Sequence, residues 1–206
     1  RIASNNKFLS FNEKEIPSLI YLNKLEQITG DIENDNDQEI LTILNPGSSL
    51  GGARPKANVY DNDGNLFIAK FPSKNDDYDV EKFECFAFDL AKLIGINISE
   101  HSSLKLSNKG TTFLCKRFDR EKNVRFPYVS MMTLLGAIDG NSNQYSYLDL
   151  VQMIYQYSSD PNKDSLELYK RMIFNILIHN SDDHLRNHGF LYKNKKWNLS
   201  PAFDLN

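Results

Sequence analysis

The chain has 206 residues, 40% apolar, 25% charged and 12% aromatic, with 24 Lys and Arg against 27 Asp and Glu and a formal net charge of -3. That length fits one large domain or two small ones and can bury about 70% of the unfolded surface, so no disulfide framework is required. The composition excludes wholesale disorder, the charge balance excludes the broad basic footprint of autonomous DNA binding, and no uncharged run approaches the ~18 residues of a membrane span.

In chain order, residues 1–13 read as an arm. Residues 14–28 read as a helix, with Ile16, Leu19, Ile20, Leu22, Leu25 and Ile28 at helical spacing and Pro17 tolerated in its first turn. An acidic loop over 31–38 and a short apolar segment over 40–44 follow, ended by Asn45-Pro46-Gly47. A Gly-rich turn over 47–56 leads into strands over 57–60 and 66–71, with Asp61-Asn62-Asp63-Gly64 as the turn signal between them. Over 79–94 the pattern predicts a helix whose Val80, Phe83, Phe86, Ala87, Leu90, Leu93 and Ile94 share a buried stripe, with Phe83, Phe86 and Phe88 as packing aromatics. A second hairpin is expected over 103–106 and 111–118. Helices are expected over 129–138, 146–157 and 165–179. A polar loop over 181–187 precedes a last hairpin, 189–192 and 196–199, with Trp197 in its core. Strands in the first half and helices in the second predict an α+β, two-lobed fold joined near 118–128. Cys85 and Cys115 lie in apolar settings without a Cys or His neighbour at zinc-ligand spacing, and read as small buried hydrophobes of a cytoplasmic protein. No functional role is assigned to His101 or His179, and His179 and His188, which flank the polar loop, are expected to pack at helix ends.

The chemistry gathers at a few polar positions. Asp182 and Asn187 are five residues apart, the interval of the protein-kinase catalytic loop. There an Asp accepts or orients the proton of an attacking hydroxyl, and an amide oxygen helps to hold Mg²⁺ at the phosphates. Asp204, seventeen residues past Asn187 and after a hairpin, stands where kinases place their main metal ligand, although the Gly of the usual motif is missing from Phe203-Asp204-Leu205-Asn206. In the first half, Lys70 sits between apolar residues on a strand, where a charge needs a partner. Glu84, fourteen residues later on the following helix, is the candidate. Gly-rich turn, strand Lys, helix Glu, catalytic-type loop, hairpin and Asp occur in kinase order.

Four strings carry a closer resemblance: Gly51-Gly52-Ala53-Arg54-Pro55-Lys56, Lys116-Arg117-Phe118-Asp119-Arg120, the loop Asp182-Asp183-His184-Leu185-Arg186-Asn187-His188-Gly189-Phe190, and Leu199-Ser200-Pro201-Ala202-Phe203-Asp204. Together they resemble the HipA family, bacterial Ser/Thr protein kinases that act as toxins of toxin–antitoxin pairs. The resemblance runs over about 45–206. It implies a two-lobed, protein-kinase-like fold and use of ATP and Mg²⁺. Gly51, Gly52, Ala53, Arg54, Pro55 and Lys56 would form the nucleotide loop, and Lys70, paired with Glu84, would bind the phosphates. Lys116, Arg117 and Phe118 would be the connector that meets adenine, with His184 and Phe203 beside the nucleotide. Asp182 would be the catalytic base, and Asn187 and Asp204 would hold Mg²⁺. Family members are silenced by autophosphorylation of a serine in the Gly-rich loop, a position that Ser49 matches best and Ser48 neighbours. Phosphate would add about 1.5–2 negative charges to a loop meant to cover phosphates.

The implied division is an arm with helices over 1–46, a strand-rich nucleotide-binding lobe over 47–122 and a helical catalytic lobe over 123–206. Implied partners are a protein substrate, an aminoacyl-tRNA synthetase in family members, and cognate antitoxin proteins, with no membrane. Only 46 residues precede Gly47, which resembles the short form lacking an N-terminal subdomain. The family's helices beyond Asp204 are expected to be missing from this chain. The family's His-Glu-Asp run after the connector is replaced by Tyr128-Val129-Ser130-Met131-Met132. Two alternatives stay open: a kinase-fold enzyme acting on a small molecule, and a nucleotide-binding pseudokinase serving as a regulatory subunit.

Overall fold

The structure, a computed structural model, describes residues 3–4, 7–8, 16–32 and 54–206 apart from 123, 139 and 141–143. The expectations for Ser48, Ser49, Gly51, Gly52 and Ala53, and for the apolar segment over 40–44, fall outside these residues.

Two-residue strands β1 (Ala3–Ser4) and β2 (Lys7–Phe8) pair with each other. A 3-10 turn over Leu19–Tyr21 leads into α1 (Leu22–Ile32), so the regular helix starts after the predicted first turn. Ser18 sets that start: it is extended, with φ -74° and ψ 155°, and its side chain accepts the Ile20 amide, while the Pro17 carbonyl accepts the Tyr60 amide at 2.9 Å. Leu22 and Leu25 then pack with Ala57, Val59, Phe67, Ala69 and Phe71 in the first core cluster.

Strands β3 (Lys56–Tyr60), β4 (Leu66–Lys70), β5 (His101–Leu104) and β6 (Thr112–Lys116) form an antiparallel sheet in the order β3-β4-β6-β5. The β3–β4 turn is set by Asp61. Its carboxylate accepts the backbone amides of Asp63 and Asn65 at 2.9 and 2.7 Å, and Gly64 supplies the positive φ of 78°. Helix α2 (Val80–Leu93) packs on this sheet, capped by Asp79, which accepts the Lys82 amide and ties the helix start to Thr111.

The buried face of α2 corrects the sequence expectation. Phe83 and Phe86 are 58% exposed and Leu93 is 81% exposed, while Glu81, Glu84, Ala87, Phe88 and Ala91 are buried. Two alanines let the helix approach the sheet closely, and the two carboxylates enter because each meets a cation there. Of the three aromatics expected to pack, only Phe88 does so inside. It lies 5.1 Å from Phe113, ring to ring.

Beyond the small ribbon of β7 (Arg120–Glu121) and β8 (Val124–Arg125), β9 (Tyr128–Ser130) joins β10 (Gly189–Lys193) and β11 (Lys196–Leu199) in a second sheet ordered β11-β10-β9. Sequence reading assigns most of β9 to a helix over 129–138. In the fold only α3 (Met131–Leu134) is helical there, because 128–130 pairs with 189–191. Gly189 makes that pairing possible: a Cβ there would lie 2.5 Å from the Val129 carbonyl oxygen. Helices α4 (Tyr147–Tyr157) and α5 (Pro161–Leu177) cover this sheet through Leu150, Ile154 and Leu168, with Trp197 partly buried beside them.

A third cluster joins the two halves. Phe88, Ala91, Ile96 and Phe113 pack with Phe174 of α5 and with Ala202 and Leu205. The Ala202 amide donates to the Asn97 carbonyl at 2.8 Å, so the segment that carries Asp204 returns to the first sheet.

Candidate active site

Lys70 closes β4, and its side chain runs into the space between the first sheet, α2 and the returning C-terminal segment. Its Nζ donates to Glu84 Oε1 and Oε2 at 2.7 and 2.9 Å, and to Asp204 Oδ1. Burial works against the ammonium, but the two carboxylates outweigh it and hold the Lys70 pKa well above the ordinary lysine value. The same contacts act on Asp204. Burial would raise its carboxyl; Lys70, supported by Lys56 and His184, instead holds it below the usual carboxylate range.

Lys56 is the register partner of Lys70 across β3 and β4, which sets two cations side by side. Burial, and then repulsion from Lys70, lowers the Lys56 pKa. Paired ammonium groups at a cleft wall are costly on their own, and an anionic ligand relieves them.

Arg54 takes another place. It donates to both Asp76 oxygens at 2.6 and 2.7 Å and to Glu81 Oε1 at 2.7 and 3.0 Å. Glu81 and Glu84 are thus one turn apart on α2, each with its own cation, and Arg54 fastens the segment entering β3 to that helix.

The catalytic-type loop is built by its own amides. Asn187 Nδ2 donates to the Asp182 carbonyl at 3.2 Å, and the Asn187 amide donates to the His184 carbonyl at 2.8 Å. An amide side chain that uses its nitrogen in this way keeps its oxygen as an acceptor, the group a hard cation needs. Asp182 is exposed and Asn187 is buried. Asn180 joins this loop to Asp204. Its Nδ2 donates to the Asp204 carbonyl at 3.1 Å and its Oδ1 accepts the Asp182 amide at 3.2 Å. Asp204 adopts a positive φ of 55°, a conformation unusual for an Asp and held by these contacts. His184 is partly buried, and its Nδ1 has no hydrogen-bond partner among the described residues.

Three supporting residues escaped the sequence reading. Asn180 looked like any polar helix-end residue. Asp183 accepts from His188 Nε2 at 2.9 Å and from the Tyr147 hydroxyl, which braces the loop from behind. Fully buried Arg171 donates to Glu167 and to the Ser200 carbonyl at 2.8 Å, which holds the chain just before Pro201. The His188–Asp183 pair had a readable signal, two complementary groups five residues apart in one loop. For Arg171 the i,i+4 spacing from Glu167 was readable, but its hold on the distant Ser200 carbonyl was not.

The connector is also engaged. Its amides at Lys116 and Arg117 donate to the carbonyls of Glu100 and Leu66, both at 2.8 Å. The Lys116 side chain meets Glu100 and the Arg117 side chain meets Asp119 and Asn58. Phe118 lies 5.7 Å from Phe203, with Tyr128 completing an aromatic cluster between connector and C-terminal segment. The structure therefore brings Lys56, Lys70, Glu84 and Asp204 together, links Asp182 and Asn187 to Asp204 through Asn180, and pairs Phe118 with Phe203. The side chains of Arg54, Lys116 and Arg117 go to other partners.

The donor set fits a nucleotide with a hard divalent cation. Two lysines face the cleft, one carboxylate and one amide oxygen suit a cation, and a buried imidazole nitrogen is left over.

Residues 48–206 match the family described as HipA-like C-terminal domain. The chain is 27% identical over 191 residues to a Haemophilus influenzae protein named "Putative kinase", covering 81% of this chain and 55% of that protein. It is 22% identical over 221 residues to "Putative kinase Y4dM" of Sinorhizobium fredii, covering 93% and 53%. The chain thus spans about half the length of these curated relatives. Among solved structures it resembles a chain from the Shewanella oneidensis MR-1 toxin–antitoxin complex of HipA, HipB and operator DNA, with a TM-score of 0.68 at 18% identity over 98% of this chain and 52% of that one. It also resembles the Helicobacter pylori proinflammatory kinase CtkA, with a TM-score of 0.58 at 22% identity over 73% and 54%. These structural likenesses place the mixed helix-and-sheet arrangement among kinase-like folds.

Proposed function

The chain belongs to the HipA-like C-terminal domain family, and on that premise we propose that it is the catalytic part of an ATP- and Mg²⁺-dependent serine/threonine protein kinase. The single observation that carries this reading is Lys70 held between Glu84 and Asp204, in the kinase order of strand, helix and post-hairpin carboxylate.

In this reading Lys70 and Lys56 neutralise phosphate oxygens, and Glu84 fixes the Lys70 side chain. Asn187 and Asp204 would hold Mg²⁺, which would supply positive charge against the negative charge that develops on phosphoryl transfer. Asp182, exposed at the loop, accepts the proton of the attacking hydroxyl. Phe118 and Phe203 present an apolar wall to adenine, and His184 offers its unpartnered Nδ1 beside Asp204. Gly51, Gly52, Ala53 and Pro55 would complete the nucleotide loop, with Arg54 as the residue that anchors it to α2. Ser49, with Ser48 beside it, is the proposed autophosphorylation site and off-switch.

The division into 1–46, 47–122 and 123–206 belongs to this proposal, as do a toxin role, a protein antitoxin partner and a cytoplasmic setting. Among the described residues no helix is long and apolar enough to cross a membrane.

The test is incubation of the full protein with labelled ATP, Mg²⁺ and a cell lysate. We expect label in a discrete protein band, reduced about 10²–10⁴-fold by Asp182→Asn. Label in a small molecule would replace the protein-substrate reading. Nucleotide binding without turnover would leave a pseudokinase. Mass spectrometry of the wild type after ATP incubation is expected to find phosphate on Ser49 or Ser48; its absence from both ends the loop-switch reading.

A further inference from the structure

Between α2 and the edge strand β5, three side chains of different chemistry converge. Cys85 and Asp89 are one helical turn apart, and His101 opens the edge strand β5. One donor atom from each lies within 4.8 Å of the others. We propose that Cys85, Asp89 and His101 form a binding site for a divalent transition ion of zinc type, clipping α2 to the edge of the first sheet.

The hydrogen bonds of His101 carry the argument. Its ring is held by Phe88 and Phe113 at centroid distances of 5.1 and 6.2 Å. Nδ1 lies 3.2 Å from the Ser99 carbonyl oxygen, which can only accept, so Nδ1 bears the proton. In the neutral ring Nε2 is then a lone pair, yet it points at Asp89 Oδ1 from 3.1 Å. Two acceptors face each other. Either a second ring proton or a cation between them resolves the contact. Carbonyl to Nδ1, and Nε2 to metal, is the usual outer-shell arrangement of a metal-bound histidine.

The Cys85 thiol selects among cations. Thiolate, imidazole and carboxylate suit zinc or cobalt and disfavour magnesium and calcium. Bonds of about 2.0–2.3 Å place tetrahedral ligand atoms roughly 3.3–3.8 Å apart, so small side-chain rotations suffice here. The Asp89 side chain is 64% exposed, which leaves water a route to the fourth position. On binding, Cys85 releases its thiol proton to solvent; thiolate and carboxylate together balance the two positive charges. Because Cys85 follows Glu84 directly, the clip would fasten the part of α2 that holds Lys70.

The test titrates the whole protein with Co²⁺ and then displaces it with Zn²⁺. We expect a thiolate-to-cobalt charge-transfer band at one equivalent, bleached by one equivalent of Zn²⁺. The chain has two cysteines, so assignment is direct: Cys85→Ser abolishes the band and Cys115→Ser keeps it. Asp89→Asn, at an exposed position that spares the fold, is expected to weaken binding about tenfold or more. Absence of the band at saturating Co²⁺, or its survival in Cys85→Ser, overturns the site. Neither result bears on phosphoryl transfer, which the Asp182→Asn comparison reads separately.

Discussion

Lys70 is an ammonium placed where burial alone would neutralise it, and Glu84 is a carboxylate in the same position. Each is tolerable because the other is there. The neighbouring pair of Arg54 and Glu81 follows the same rule with a guanidinium fork. These contacts explain why the sequence points to Lys70 and Glu84 as partners: a lysine between apolar strand residues and a glutamate on the next helix have few stable solutions. For Arg54 the sequence leaves the partner open, because a cation beside glycines serves a phosphate or a carboxylate equally; in the fold its side chain meets Asp76 and Glu81. The cysteines separate at this scale too. Burial pushes the Cys115 thiol up to about 12, so at pH 8 almost none is thiolate. In iodoacetamide labelling followed by peptide mapping, Cys115 is expected to remain unmodified in the folded protein and to react in urea. Labelling of Cys115 at a free-thiol rate without denaturant contradicts its placement.

At the scale of elements, turns were legible and faces were not. Asp61 and Gly64 specify the β3–β4 turn through local hydrogen bonds and one positive φ, and both are written in the sequence. The β10–β11 hairpin shows the opposite strain. Its two loop residues, Asn194 and Lys195, have φ of 55° and 61°, the double left-handed pattern of a type I′ turn. Asn suits this conformation and a lysine does not. Lys195→Gly is therefore expected to stabilise the protein by about 1 kcal/mol, read as a higher midpoint in urea unfolding. An unchanged or lower midpoint would mean that the lysine makes a compensating contact. The inverted face of α2 has a different cause. Its aromatics outweigh its carboxylates on any hydrophobicity count, so periodicity alone points Phe83 and Phe86 inward. Arg54, just before β3, and Lys70 of β4 reverse that choice by meeting Glu81 and Glu84.

For the molecule as a whole, the contact that matters is the return of residues 201–205 to the first sheet, through Ala202, Leu205 and the Lys70–Asp204 pair. Asp204 makes part of this closure depend on pH. Its folded pKa lies below the ordinary value of about 3.9, so its contribution is complete above that value and is lost as pH falls through the lower, folded one. The stability difference between wild type and Asp204→Asn should be about 1 kcal/mol above pH 5, the modest scale of a partly solvated pair, and should shrink as pH falls below the ordinary carboxylate range. Denaturant titrations of both proteins across that range measure it. A difference that does not change with pH would place the effect in packing.

Local chemistry along the chain dictates the turns, the strands of the first sheet, the long helices, and the order in which Lys70, Glu84, Asp182, Asn187 and Asp204 follow one another. What depends on groups far apart in the chain came from packing across the fold. It turned the carboxylate face of α2 inward, made 128–130 a strand by pairing it with 189–191, and set Asn180 between Asp182 and Asp204. It also placed His101 against Cys85 and Asp89. Spacing along the chain fixes which groups share a turn of helix or a hairpin. Burial and charge pairing across the fold fix which groups meet.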